Sequence, residues 1–211
     1  MSEMFREFPK MARLNRECVI TEKIDGTNAA VRIIDQAEYD LFLAEGGNPN
    51  LCIASMTRLD GTQMYLFAQS RTRNIIPGDD NYGFAKWVSD NAEELFKLGH
   101  GFHYGEWWGS GIQRGYGLTK GDKRFSLFNV SRWADDSVRP ACCGVVPELY
   151  RGAFDTFVVQ DIIRRLREGG SVASPGFMKP EGVVVFHTAA NMMFKVTCDK
   201  DDVPKSKVKG S

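Results

Sequence analysis

Two apolar, strand-like runs, CVITEKI at 18–24 and AAVRIID at 29–35, are separated by only Asp25-Gly26-Thr27-Asn28. No other feature of the chain constrains its fold as much. Short runs rich in Val, Ile and Thr form strands, and an Asp-Gly step between them is a strong hairpin signal. The same pattern recurs in LCIASMT (51–57) and QMYLFAQS (63–70), joined through Leu59-Asp60-Gly61-Thr62. The chain is therefore expected to open with strand pairs. Residues 82–98 predict a helix, because Phe84, Trp87, Val88, Leu95 and Phe96 recur at helical spacing and Gly99 can close it. FDTFVVQDIIRRLREGG (154–170) predicts a second helix, ended by Gly169-Gly170. RFSLFNV, GVVVFH and NMMFKVT predict later strands. Strand pairs followed by irregularly interleaved helices and strands indicate an α+β fold with largely antiparallel sheets.

No Pro/Gly/Ser-rich linker divides the 211 residues, so one domain is expected, with residues 1–200 as its body and 201–211 as a basic, flexible tail. An apolar content of 43% with 26% charged residues describes an ordinary globule. No apolar run approaches the roughly 20 residues a bilayer demands, and the first residues lack a signal core. A cytoplasmic protein without a membrane partner is expected. The five cysteines form no C-x-x-C pair, and they suggest reduced thiols. A net charge of zero argues against a wholly electrostatic nucleic-acid binder but leaves room for a local basic groove.

Candidate chemistry begins at Lys23, set between Glu22 and the Asp25-Gly26 turn. An amine attacks phosphorus only when unprotonated, and burial or nearby cations favour that form; the alternative is a surface lysine on a hairpin. Gly26 would let a phosphate approach the backbone, and Thr27 and Asn28 offer hydrogen bonds. In AQSRTRN, Arg71 and Arg73 follow an apolar strand, and an arginine fork suits phosphate and ribose oxygens. In FHYGEWWGSGIQRGYG, Glu106 sits among aromatic residues and glycines, where a carboxylate could accept from a ribose hydroxyl. Phe125 in KRFSLFNV either packs in the core or offers a face on which a purine stacks. Glu181 precedes the strand of KPEGVVVF, a position that suits Mg²⁺ or Mn²⁺. Lys195 lies in the apolar strand of MMFKVT and calls for an anionic partner such as phosphate.

These segments, in this order, resemble the covalent nucleotidyltransferase superfamily of polynucleotide ligases and capping enzymes. Lys23-x-Asp25-Gly26 is similar to its nucleophile motif. Thr27-Asn28 and GSGIQRGYG further resemble ATP-dependent RNA ligases of the RNA ligase 2 type. The resemblance implies an ATP-grasp-like domain of twisted sheets and flanking helices. It implies a lysyl-AMP on Lys23 formed from ATP with a divalent metal at Glu181, and the joining of 3′-hydroxyl and 5′-phosphate RNA ends or a nicked duplex. Asp25 would aid the transfer steps. Glu22, Ile24 and Asn28 would help hold the adenylate, Arg71 and Glu106 the ribose, Phe125 the adenine and Lys195 the α-phosphate. Lys195-Val196-Thr197 departs from the family's K-x-K, for which Lys200 or Lys179 could substitute. The chain leaves no room for a C-terminal domain, which a partner protein would then supply. A nucleotide or RNA-end binding module and a DNA nick ligase are the alternatives.

Overall fold

The computed structural model describes residues 7–199. In chain order the elements are β1 (Glu17–Lys23), β2 (Thr27–Asp35), α1 (Gln36–Ala44), β3 (Ala54–Thr57), β4 (Gln63–Ser70), β5 (Asn74–Ile75), α2 (Phe84–Asp90), α3 (Ala92–Leu95), β6 (Gly101–Gly109), β7 (Lys123–Leu127), α4 (Val130–Trp133), β8 (Cys143–Val145), β9 (Glu148–Ala153), α5 (Thr156–Gly169), β10 (Gly182–His187) and β11 (Met192–Thr197). The fold is mixed α+β with two largely antiparallel sheets. A small sheet has the order β11-β10-β1-β9, and a large one the order β3-β4-β2-β6-β7-β8 with β5 beside β4. Among the described residues only β7 and β8 pair in parallel.

The first expectation fails in an informative way. β1 and β2 form as strands but do not pair with each other. β1 lies between β10 and β9, and β2 between β4 and β6. A two-residue hairpin of the primed type needs positive φ at its central residues, and neither Asp25 nor Gly26 has it. The Asp25-Gly26 step therefore carries the chain from one sheet to the other. Asp60-Gly61 does reverse the chain: Gly61 has φ 84°, the Arg58 N–H donates to the Thr62 carbonyl at 2.9 Å, and β3 pairs with β4. The stretch around Glu106, read only for its side chains, forms the nine-residue strand β6 at the centre of the large sheet.

Three clusters hold the fold together. Under one face of the large sheet, Ile33, Leu66, Phe84, Val88, Trp107 and Phe125 are buried together. Between the small sheet and α5 lie Cys18, Ile20, Val183 and Val185 with Val159, Ile162, Ile163 and Leu166. The α5 positions follow the i, i+3, i+4, i+7 stripe of an amphipathic helix. Asp155 caps the helix by accepting from the Phe157 N–H at 2.8 Å, and Gly170 ends it with φ 82°. Each such apolar side chain contributes about 1.5–3 kcal/mol when fully buried. Val19, Ile24, Trp108, Tyr116, Val130 and Val146 form the third cluster, which joins the two sheets. The expected 82–98 helix is divided into α2, α3 and a 3-10 turn (Phe96–Leu98) closed by Gly99. No helix among the described residues is long and apolar enough to cross a membrane. Lys200 and the basic end, 201–211, lie outside the described residues.

Candidate active site

The site lies where the chain passes from the small sheet to the large one. Paired residues in an antiparallel ladder share a face, and faces alternate along each strand. In the small sheet Lys23, Gly182 and Thr197 form one row, and Thr21, Val184 and Lys195 form the row two residues behind it. Lys23 and Lys195 therefore share a face, with their rows roughly 7 Å apart. In the large sheet Asn28, Glu106 and Ser126 form a row. Val19 on the Lys23 face and Trp108 on the Glu106 face belong to the same buried cluster. The two faces thus meet at one junction, where the charges of Lys23 and Glu181 act on Glu106.

Lys23 Nζ donates to Glu181 Oε2 at 2.7 Å across the mouth of β1 and β10. Glu181 is buried, and its other oxygen has no hydrogen-bond partner among the described residues. Glu106 accepts from the Gly26 N–H at 2.9 Å. Its carboxyl is pushed up from an ordinary 4.5 to about 7, chiefly by burial, with the Gly26 bond and the Lys23 charge pulling the other way. Gly26 is glycine for packing: a Cβ there would lie 2.4 Å from the Trp107 carbonyl oxygen and 2.7 Å from Trp108 Cβ. The sequence argument gave that glycine to phosphate approach. The neighbouring strand β6 is what requires it.

Two residues that sequence reasoning left without a role organise this junction. The Tyr116 hydroxyl accepts from the Asp25 N–H at 3.1 Å and the Glu181 N–H at 3.3 Å, and it donates to the Lys23 carbonyl at 3.3 Å. The side chain is fully buried, its ring stacks on Phe177 at 4.6 Å, and burial pushes the phenol well above its usual range, so it stays a donor. Arg114 Nε donates to Asp25 Oδ2 at 3.0 Å, and Nη1 donates to the Lys179 and Pro180 carbonyls at 2.9 and 3.2 Å. Both residues fall in GSGIQRGYG, whose run of turn-forming residues was the available signal.

Several side chains expected beside the nucleotide are turned elsewhere. Phe125 is fully buried beside Phe84 and Trp87, with ring centroids 5.0 and 5.6 Å away, so it is a core residue and has no free face. Continued one residue past the end of β7, the alternation instead puts Phe128 on the Glu106 face. Phe128 is exposed, and its N–H donates to the Tyr104 carbonyl at 3.0 Å. Glu22 points away from Lys23. Its carboxylate accepts from the Ser171 hydroxyl at 2.5 Å and from the Val172 and Ala173 N–H groups at 2.8 Å each, which fixes the loop after α5. Burial raises its pKa against those bonds. The Ile24 side chain is core, so both residues border Lys23 through backbone alone.

Arg71 follows Ser70, the partner of Ala29, and so lies level with Asn28. With Thr27, Arg73 and Asn81 it lines a polar depression of about 310 Å³. Arg73 is tied to Asp79 by two bonds of 2.7 Å. Lys195 is exposed. Thr197 occupies the row of Lys23, and the exposed Lys179 offers Arg114 its carbonyl.

A family model described as RNA ligase matches residues 16–201. Among solved structures, a Naegleria gruberi RNA ligase mutant in its apo form is 18% identical, with a TM-score of 0.55, covering 87% of this chain and 50% of that one. A mutant of the same enzyme with ATP and Mn is 18% identical at TM-score 0.54, with the same coverage. Another, with AMP and Mn, is 17% identical at TM-score 0.55, again covering 87% and 50%. The chain thus spans about half the length of the solved structures it matches, and at these identities they speak for the fold alone. Among curated proteins nothing matches.

Proposed function

The chain belongs to the RNA ligase family, and on that premise we propose that it is the adenylyltransferase part of an ATP-dependent RNA ligase working through a lysyl-AMP on Lys23. The observation that carries this is Lys23 Nζ at 2.7 Å from the buried Glu181, at a junction that also holds Glu106, Asn28 and Lys195. On this proposal residues 1–200 form an ATP-grasp-like domain that holds the nucleotide between its two sheets, and 201–211 a basic tail. A partner protein or a further domain would complete the recognition of strand ends, because this chain matches only half the length of the solved ligases.

The chemistry follows from the residues. Lys23 attacks the α-phosphorus of ATP, an N–P bond forms, and pyrophosphate leaves. Glu181 is within hydrogen-bond reach of Nζ and is placed to receive its proton. A 5′-phosphate oxygen then attacks the AMP phosphorus and Lys23 departs. Finally a 3′-hydroxyl displaces AMP and the phosphodiester forms. Lys195 and Arg71 meet phosphate and ribose oxygens, and Glu106 with Asn28 accepts from or donates to the ribose. Phe128, on the Glu106 face, takes the stacking role first given to Phe125. Tyr116 and Arg114 hold Lys23, Asp25 and Glu181 in register. The free carboxylate oxygen of Glu181 suits a divalent ion, Mg²⁺ or Mn²⁺, which when bound supplies positive charge to the phosphate oxygens. That the Naegleria enzyme was solved with ATP and Mn supports this choice.

Thr197, in the place of a second lysine, favours one alternative: a nucleotide-binding module that seals ends slowly. Joining separates the readings. The wild type should seal a nicked RNA duplex with ATP, and Lys23→Ala should lose that activity while still sealing a strand that already carries 5′-linked AMP. A wild type that labels itself with AMP but seals neither substrate would refute the ligase reading for this chain alone.

A further inference from the structure

Behind Glu106 on the same face of the large sheet lies an exposed aromatic pair that the adenylyl chemistry does not use. Phe102 and Tyr104 precede Glu106 at two-residue steps along β6, so all three share a face. Their exposures are 51% and 46%, unusually high for rings in a central strand. The two rings are parallel, 5° apart with centroids at 5.7 Å, and stack on one another. Arg32 on β2 is directly paired with Phe102, and its guanidinium sits 4.8 Å from that ring's centroid. No ion pair or hydrogen bond holds Arg32 among the described residues, and its Nε is enclosed without an acceptor. Elsewhere the same face is closed by α1, whose Tyr39 stacks on Tyr65 and whose Phe42 packs edge-on to Phe67. The fold thus covers one part of this sheet face and leaves the part nearest Glu106 open.

We infer that Phe102, Tyr104 and Arg32 form a stacking platform for single-stranded RNA, which guides the end of a strand toward Lys23. The inference rests on the RNA ligase reading. An exposed stack of rings extends onto the π-face of a base without regard to sequence, and an uncompensated arginine beside it answers a phosphate. The platform is also continuous with the site: Phe102 lies four residues, roughly 14 Å, from Glu106.

The test uses the full chain and a fluorescently labelled single-stranded oligoribonucleotide, read by anisotropy, beside self-adenylylation with ATP in the absence of RNA. Replacing both rings (Phe102→Ala with Tyr104→Ala) should weaken RNA binding at least about tenfold. The aromatic-preserving pair (Phe102→Tyr with Tyr104→Phe) should bind as wild type. Arg32→Gln should lower the slope of log affinity against log salt by about one. Self-adenylylation should persist in all of these variants, since it involves no RNA. Wild-type affinity in the double alanine variant, equal loss in the aromatic-preserving pair, or no binding by the wild type overturns the platform. A wild type that binds RNA through these rings but takes no AMP leaves the platform standing and removes the ligase reading.

Discussion

Glu106 makes the structure sensitive to pH in a way that can be worked out. Its carboxyl is raised from 4.5 in the unfolded chain to about 7 in the fold, mainly because burial penalises the charged form. Between those values the native state binds the proton more tightly than the unfolded one. Stability is therefore present below about 4.5 and is lost as pH rises toward and through 7. The full shift corresponds to about 3 kcal/mol, of which about 2–3 kcal/mol falls between pH 5 and pH 8. That is a large share of the 5–15 kcal/mol typical of a domain. Glu106→Gln keeps an oxygen to accept from the Gly26 N–H but cannot ionise. Urea unfolding followed by tryptophan fluorescence at pH 5 and pH 8 should show wild type losing about 2–3 kcal/mol more than the variant. The buried Glu22 contributes a drop of the same sign to both proteins and cancels in the comparison. Equal losses in the two proteins would show that Glu106 ionises in the fold without penalty, and the electrostatic account of the site would fall.

Other substitutions probe the parts separately. Tyr116→Phe keeps the stack on Phe177 but strips the hydroxyl from two backbone N–H groups, so it should cost about 1–3 kcal/mol in urea unfolding and slow adenylylation; a variant as stable and active as wild type would remove Tyr116 from its positioning role. Gly26→Ala forces a Cβ against the Trp107 carbonyl and should give a destabilised protein with little AMP transfer, whereas normal melting and labelling would show that the backbone yields there at no cost. Phe128→Ala should raise the KM for ATP in self-adenylylation with modest stability loss, while Phe125→Ala should destabilise by about 3–5 kcal/mol as a core truncation. The opposite pattern would return the stacking role to Phe125.

What the sequence made legible was local, and what it hid was long-range. The strands, α5 and the second hairpin follow from periodicity, capping and the left-handed Gly61. The partners of β1 were hidden, because β10 lies far along the chain and nothing local distinguishes a hairpin from a crossing between sheets. The same limit explains the site. Lys23 and Glu181 meet across 158 residues, and only their order along a familiar series of motifs suggested it. Phe125 was misassigned because a one-letter pattern does not show which face of β7 looks at Glu106; pairing of Glu106 with Ser126 does. Glu22 and its neighbour Lys23 point to opposite faces, which leaves the Glu22 carboxylate to the loop at 171–173 and only its backbone beside Lys23. Tyr116 acts on backbone groups and Arg114 on the Asp25 carboxylate and two carbonyls, so the sequence shows them only as part of the turn-rich GSGIQRGYG.

The central claim is that Lys23 carries AMP. The direct measurement is intact mass followed by peptide mapping, after incubation with ATP and Mg²⁺ or Mn²⁺. One AMP should appear, on the peptide containing Lys23, through a bond cleaved by acid and stable to mild base, and Lys23→Ala should carry none. An adduct on any other residue, or none on a folded wild type, would contradict the account.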